Sequence, residues 1–517
     1  MKRFFLLFLL YIIFCNIAFS QPQLEWLRNY PMHGRVAVMD STGNIYVIGT
    51  IGNATKLLKY NSSGNLIWQR IDTLNTDGMG IHAAADKNGN VYFTAEDFSY
   101  RIATVKYDSS GNRNWLSYYS NAESIARANA MAIDYEGNIY ITGYGRLTYR
   151  YNYVTIKYNP QGDSLWTAIY NSPPTNGGSS ANAICVDLQN NVYVTGNSII
   201  STRPAGDYLT IKYSSNGIQQ WVARYEGPNH IGGDGESIIV DKYGFSYVTG
   251  ATLYDINKTV IGTIKYSPNG DSVWTRFNFQ PFTRLYEFGN NILLDTSLNV
   301  YVSGRGCDSI LLSGYRTLKY DKFGNLLWNI FDSNYIYQPY SSILDKYYNI
   351  YSTSSAEYSI YSIEYNSSGI KIWSSHYPQF NPMNISYWGF KFFLDNFNNL
   401  YLFGGTLDSS ILIKYGLPTN INANTGNIIN PLNLYQNYPN PFNPVTKISF
   451  DLPKSGNVKL IVYDILGREV AALVNNEFKK AGSYTVEFNS ENSASGVYFY
   501  KLITDDYIQV KKMVILK

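Results

Sequence analysis

Eight aspartates are the residues whose type and spacing could do chemistry. Asp40, Asp86, Asp134, Asp187, Asp241, Asp295, Asp345 and Asp395 recur at intervals of 46 to 54 residues, and a ring of carboxylates could hold calcium. A calcium site needs about six to eight converging oxygens, whereas the surrounding Asp-x-x-Gly-Asn pattern supplies few. Asp at such a position also accepts hydrogen bonds from its own turn, and the turn reading is preferred. The histidines His33, His82, His230 and His376 form no metal spacing. No Gly-x-Ser-x-Gly, no His-Glu-x-x-His and no ordered Ser, His and Asp set occurs. Two carboxylates supplied by different repeats would leave no local motif, so a polysaccharide hydrolase or lyase stays open as an alternative to a non-catalytic protein. The sequence assigns no catalytic, cofactor-binding or metal-ligating residue.

The elements that position these aspartates repeat with them. In the third copy, Ala130–Asp134 is a strand of small and apolar residues, and Asp134-Tyr135-Glu136-Gly137 is a tight turn. Asn138–Gly143 is a second strand, Tyr153–Tyr158 a third ending in Lys-Tyr, and a Gly162 turn leads to Trp166 on a fourth. Lys-Tyr closes the third strand of every copy except the seventh, which has Glu364-Tyr365. Trp68, Trp115, Trp166, Trp221, Trp274, Trp328 and Trp373 mark the fourth strands of seven copies, and the eighth stops at Tyr415. Its missing strand is expected at the other end of the chain, in Leu24–Tyr30 around Trp26, because closing the ring removes two free sheet edges. Four short strands per period of about fifty residues predict a β-propeller of about eight blades over residues 21–415.

The chain has 517 residues, a net charge of +3, 15% charged residues and 49 tyrosines. It lacks the basic stripe of a nucleic-acid binder, and its aromatic content favours strands. Lys2 and Arg3, the apolar run Phe4–Phe14 and Ala18-Phe19-Ser20 read as a signal peptide over residues 1–20, cut after Ser20. The run is too short for a membrane span, and no transmembrane segment is expected in the mature chain. Cys185 and Cys307 fall in different repeats, so no disulfide is expected between them.

The repeats resemble the bacterial seven-bladed propeller repeat, with its Asp-x-x-Gly-Asn-x-Tyr-Val-Thr-Gly signature, although eight units are present. Tyr320–Trp328 is also similar to the tryptophan-docking repeat of eight-bladed pyrroloquinoline quinone dehydrogenases. There, however, Asp321 and Gly324 would be one residue further apart, and the adjacent cysteine pair seen in many of those enzymes is missing. That likeness implies topology and no cofactor.

Residues 416–433 are Asn-rich and aperiodic, which reads as a linker. Beyond it, alternating stretches at Lys447–Leu452, Val458–Tyr463, Ser483–Phe488, Gly496–Leu502 and Gln509–Val514 predict a small Ig-like β-sandwich over 434–517. Tyr438–Pro444, Tyr463–Val470, Ser495–Tyr500 and Lys511-Lys512-Met513 closely resemble the C-terminal type A sorting domain of the type IX secretion system. The resemblance implies a Bacteroidota-like host, passage across the outer membrane, and release or attachment at the cell surface. It makes the secretion machinery one partner. A glycan or protein ligand, held by the variable connections Gly143–Tyr151, Asn197–Tyr208 and Arg305–Tyr315, is the expected second.

Overall fold

The computed structural model describes residues 23–516, apart from short loop stretches and the longer ones at 379–387 and 417–432. The leader reading of residues 1–20 and nearly all of the linker 416–433 lie outside the described residues. The protein divides into two compact units, one holding the strands up to Gly416 and the other those from Asn433 onward.

The first unit is a ring of eight sheets, each of four antiparallel strands, to which the fifth adds the short parallel strand Leu285–Tyr286. Blade 3 is typical. Its strands Ala126–Ile133, Ile139–Leu147, Arg150–Tyr158 and Ser164–Tyr170 pair in chain order. The second and third strands are buried on both faces, as Val, Ile, Thr and Tyr runs require. First strands of neighbouring blades pack against one another around the axis, where small residues such as Ala126, Ala128 and Ala181 fit.

Blade 8 is composite. Its strands Trp388–Leu394, Leu400–Gly405 and Ser410–Gly416 take Gln23–Tyr30 as the fourth. Trp26 lies opposite Lys414, and Tyr30 opposite Ser410. The ring is therefore closed by strands from both ends of the propeller segment, as the position of Trp26 predicted.

Neighbouring blades are locked by the fourth-strand tryptophans. Trp115 of blade 2 donates its indole N–H to the Pro160 carbonyl of blade 3 at 3.0 Å, and Lys106 donates to the same carbonyl at 2.9 Å. The pattern recurs for Trp68 with Lys59 on Ser109, and for Trp166 with Lys157 on Ser215. Trp221 with Lys212 on Pro268, Trp274 with Lys265 on Lys322, and Trp328 with Lys319 on Ser367 complete six such seams. Each ring also lies flat on the turn glycine of the next blade. A Cβ on Gly162 would come within 2.6 Å of Trp115, at a φ of +94° that side chains avoid. The likeness to a tryptophan-docking repeat thus extends to the docking itself.

The second unit is a two-sheet sandwich. One sheet pairs Asn433–Leu434, Val445–Leu452 and Gly482–Asn489 in that order. The other runs Glu469–Lys479, Gly456–Tyr463, Gly496–Thr504 and Ile508–Ile515. Phe450, Leu460, Tyr500 and Met513 meet in its core with no exposure. The strand Glu469–Lys479 was not among those read from the alternation. Its exposed face carries Phe478 and Val470, which blurs the polar and apolar period.

Candidate functional site: the axial carboxylates

The eight turn aspartates are consumed by their own turns. Asp40 accepts the backbone N–H groups of Thr42 and Asn44, the Thr42 hydroxyl, the Asn44 side-chain amide and the Tyr46 hydroxyl, all within 3.1 Å. The N–H pair at the second and fourth following residues recurs at each of the other seven, for example at Asp86, Asp134 and Asp395. Burial works to raise the Asp40 pKa, yet these donors hold it below the usual carboxylate range. The Tyr46 hydroxyl also donates to the Gly89 carbonyl of blade 2 at 2.6 Å, so the turn is tied to its neighbour. Among the described residues no group of three or more His, Cys, Asp or Glu side chains converges in a way that could hold a metal ion.

A different set converges on the axis. The first strand of seven blades carries a bulge, an extra residue that re-aims its neighbours. The pairing slips at Arg35, Asn129, Asn182, Glu236 and Asn290 in blades 1, 3, 4, 5 and 6. The bulge explains the glycine that ends the second-strand signature: a Cβ on Gly143 would lie 2.0 Å from the Arg127 carbonyl. Each bulge residue stands five positions before the turn aspartate. That fixed offset is a signal the sequence carries.

In blades 3 and 4 the bulge asparagine reaches forward to the next blade. Asn129 donates to the Ser180 hydroxyl and the Ala181 carbonyl, each at 2.9 Å. Asn182 donates to Asp234 Oδ1 at 2.9 Å and the Gly235 carbonyl at 3.1 Å, while Asn197 donates to Asp234 Oδ2 at 3.1 Å. In blade 5 the same position is Glu236, which cannot donate as an anion. Among the described residues its carboxylate meets no hydrogen-bond donor. On blade 6, the Asn290 Oδ1 and Asn291 Nδ2 atoms are buried without partners.

Asp234 and Glu236 sit two residues apart on one strand, a rise of about 7 Å. Burial, then the Glu236 charge, pushes Asp234 up to about 7, while Asn197 and Asn182 pull the other way. Burial raises Glu236 as well. On other blades, Lys391 of blade 8 and Arg127 of blade 3 both act on His82 of blade 2, and Arg127 is paired with Glu96 at 3.5 Å. Lys391 is reached by solvent yet enclosed by protein, and that enclosure lowers its pKa. His82 of blade 2 is pushed down to about 4 by burial and is neutral.

The comparisons agree with the architecture. Residues 436–516 match the secretion system C-terminal sorting domain, and residues 114–145 match a beta-propeller repeat. The chain is a β-propeller repeat protein with a type IX sorting domain. The sorting domain makes this propeller protein a secreted, extracellular or cell-surface one and ties it to the secretion machinery. Among solved structures it is similar to PorZ, a surface component of the type IX secretion system of Porphyromonas gingivalis, at 11% identity and a TM-score of 0.38, over 94% of this chain and 70% of that one. It is similar to the WD40 domain of SCAP from fission yeast at 9% identity and a TM-score of 0.45, over 76% and 99%. A WD repeat-containing protein of Acanthamoeba polyphaga mimivirus is 26% identical over 54% of this chain; the match spans about a quarter of that relative, 24%.

The connections singled out in the sequence are shorter in the propeller than they looked. Strands two and three of blade 3 stay paired out to Leu147 and Arg150, and those of blade 6 out to Cys307 and Ser313. The variable segments of blades 3 and 6 are thus extended hairpins, whereas the pairing in blade 4 ends at Ser198 and Asp207. Cys185 and Cys307 are free thiols, and burial raises the Cys185 pKa beyond reactive range. His230 pairs with Glu226 at 2.8 Å on an exposed loop. No helix among the described residues is long and apolar enough to cross a membrane.

Proposed function

We propose that this propeller is a non-catalytic binding scaffold, which takes a glycan or protein ligand on the face where the second-to-third-strand hairpins emerge. The leader is residues 1–20, the propeller 21–415, the linker 416–433 and the sorting domain 434–517, in a Bacteroidota-like host with an outer membrane. Neither nucleic acid nor a cofactor enters this reading.

The supporting observation is Glu236. Other carboxylates of the propeller are held by turns or by an arginine or lysine, whereas here a glutamate replaces a linking asparagine and is left without a donor among the described residues. Asp234 and Asn197 lie near the hairpin face, since Asn197 is next to last in the second strand of blade 4 and Asp234 is second in the first strand of blade 5. An under-coordinated carboxylate in a partly buried setting suits ligand hydroxyls or an ammonium group. A glycan array probed with the full mature chain tests this. Selective binding that Glu236→Gln weakens at least tenfold is expected. Binding that is unaffected by the substitution would overturn the assignment of the axis as the anchor.

The raised pKa values of Asp234 and Glu236 favour one second reading, a hydrolase or lyase using the pair as acid and base. Turnover of a bound polysaccharide, lost in Glu236→Gln with binding retained, would establish it in place of the scaffold.

A further inference from the structure

The repeat supplies its own standard of comparison, and the seam between blades 5 and 6 departs from it at three positions. Seven of the turns between strands one and two end in an asparagine whose side-chain amide donates to the turn aspartate, as Asn138 does to Asp134 at 2.7 Å. In blade 5 that residue is Phe245. The turns between strands three and four of blades 1 to 5 and 7 carry Ser or Pro second and a polar residue third, as in Ser109-Ser110, Pro160-Gln161 and Pro268-Asn269. In blade 6 these two positions are Lys322 and Phe323. Antiparallel pairing in chain order puts both kinds of turn at one end of the blades, opposite the second-to-third-strand hairpins.

All three exceptions line one cleft of about 500 Å³, within the range of about 300–1,000 Å³ typical of small-molecule sites. Phe323 is 66% exposed and Tyr243 60%, so two aromatic rings stand open in it. Lys265, Lys322 and Arg276 bring three positive charges against one carboxylate, Asp241. Arg276 spends its N–H groups on the Thr275, Phe323 and Gly324 carbonyls. Lys265 lies over Phe245 at 4.6 Å; burial lowers its pKa, Asp241 works against this, and the Lys322 charge adds to it. The exposed Lys322 ammonium meets the Phe323 ring at 5.1 Å and no hydrogen-bond or ion-pair partner among the described residues. With no asparagine amide beside it, Asp241 Oδ2 receives only the Tyr247 hydroxyl, at 3.1 Å, among the described residues.

A ligand that suits this cleft brings an anion for two neighbouring lysines, a hydroxyl to donate to Asp241, and a C–H face to lie on an exposed ring. An acidic sugar carries all three. An acidic peptide would look for backbone partners, and the turn backbones here are committed. The Tyr243 and Phe245 N–H groups donate to Asp241, those of Phe323 and Asn325 to Asp321, and the Lys322 carbonyl accepts Trp274 and Lys265. We propose that this cleft binds a uronate-bearing glycan, with the sugar carboxylate between Lys322 and Lys265 and the ring against Phe323. It is a second site, at the end of the propeller opposite the hairpin face.

Calorimetric titration of the full mature chain with a galacturonate hexamer tests this, beside a neutral glucose hexamer and a hexaglutamate peptide. The uronate is expected to bind, and each of the other two at least about tenfold more weakly. Lys322→Ser and Phe323→Ser put into blade 6 the residues that blades 2 and 7 carry, where Trp68 and Trp328 still dock on the Ser109 and Ser367 carbonyls. Each variant should keep the wild-type Tm within a few degrees and weaken the uronate at least about tenfold. Absence of uronate binding, hexaglutamate binding of equal strength, or uronate binding unchanged in both variants overturns the proposal. Uronate binding that is lost in Glu236→Gln and kept in Lys322→Ser overturns this cleft alone and places the sugar on the axis.

Discussion

Replacing Asp40 by alanine and, separately, replacing Asp108 by alanine measures what the turn carboxylates do. Both begin the same kind of turn. Asp108, between strands three and four of blade 2, accepts two backbone N–H groups and the Asn112 amide in an exposed setting. Asp40 accepts five donors, is 5% exposed, and satisfies a buried tyrosine hydroxyl that also bridges to blade 2. Hydrogen bonds to a charged group contribute about 1.5–3 kcal/mol each when buried, and removing one partner leaves the others unsatisfied. Water replaces most of that at Asp108. The expected losses are about 3–4 kcal/mol for Asp40→Ala and about 1 kcal/mol for Asp108→Ala, read from urea unfolding of the full chain. The Asp40 pKa is depressed in the folded state, so its contribution is present above the unfolded value of about 3.9 and is lost as pH falls through the folded value. The difference between wild type and Asp40→Ala should therefore shrink in acid. Excess calcium should leave both midpoints unchanged. Equal losses at the two sites, or a calcium-dependent midpoint that Asp40→Ala abolishes, would refute the turn reading and restore the metal ring.

Further outcomes follow from the closure, the turns and the tail. Deleting residues 21–31 should destabilise the whole ring, because the third strand of blade 8 would lose its partner along Gln23–Tyr30 and expose a free edge; a circular dichroism melt unchanged from wild type would refute this. Leu298 and Tyr348 hold the positive-φ turn position that glycine fills in blades 1, 2, 3 and 5, so Leu298→Gly should raise stability by about 0.5–1 kcal/mol in urea unfolding. Gly162→Val should weaken the seam between blades 2 and 3 by several kcal/mol, about the value of an undocked tryptophan, with the loss visible in Trp115 fluorescence. A chain ending near Gly416 should fold yet stay in the periplasm, and residues 434–517 behind a leader and a reporter should carry the reporter to the surface; fractionation with immunoblotting reads both.

The frame was legible because the repeat states it eight times over. Asp, Gly, Tyr, Lys and Trp each hold a fixed place, and even the strand borrowed from the N-terminus was marked by Trp26. The axial site was not legible for a physical reason. A bulge is a change in backbone pairing, and it leaves small or polar residues inside what reads as one apolar strand. Asn129 and Asn182 gain meaning only when their hydrogen bonds show that each reaches the next blade, and Glu236 only as the residue that takes the same bulge position. The added pairing in the blade 3 connection was not legible because polar and aromatic residues, such as Tyr144 against Tyr151 at 5.0 Å, continue it without an apolar signature.

Every tryptophan dock runs the same way round, from blade n into blade n+1. Each blade therefore presents one donor edge and one acceptor edge, the head-to-tail kind of interface that either closes on itself or continues indefinitely. A unit with two unlike edges can be copied or lost without redesigning its neighbours, provided the turning angle per unit still sums to a full circle. Ring size in such a protein is a property of the joints rather than of any blade. The two joints of different chemistry, at Trp373 and at Trp26, whose buried indole N–H groups find no acceptor among the described residues, flank the composite blade 8, where the direction of the chain and the direction of the ring are brought into agreement.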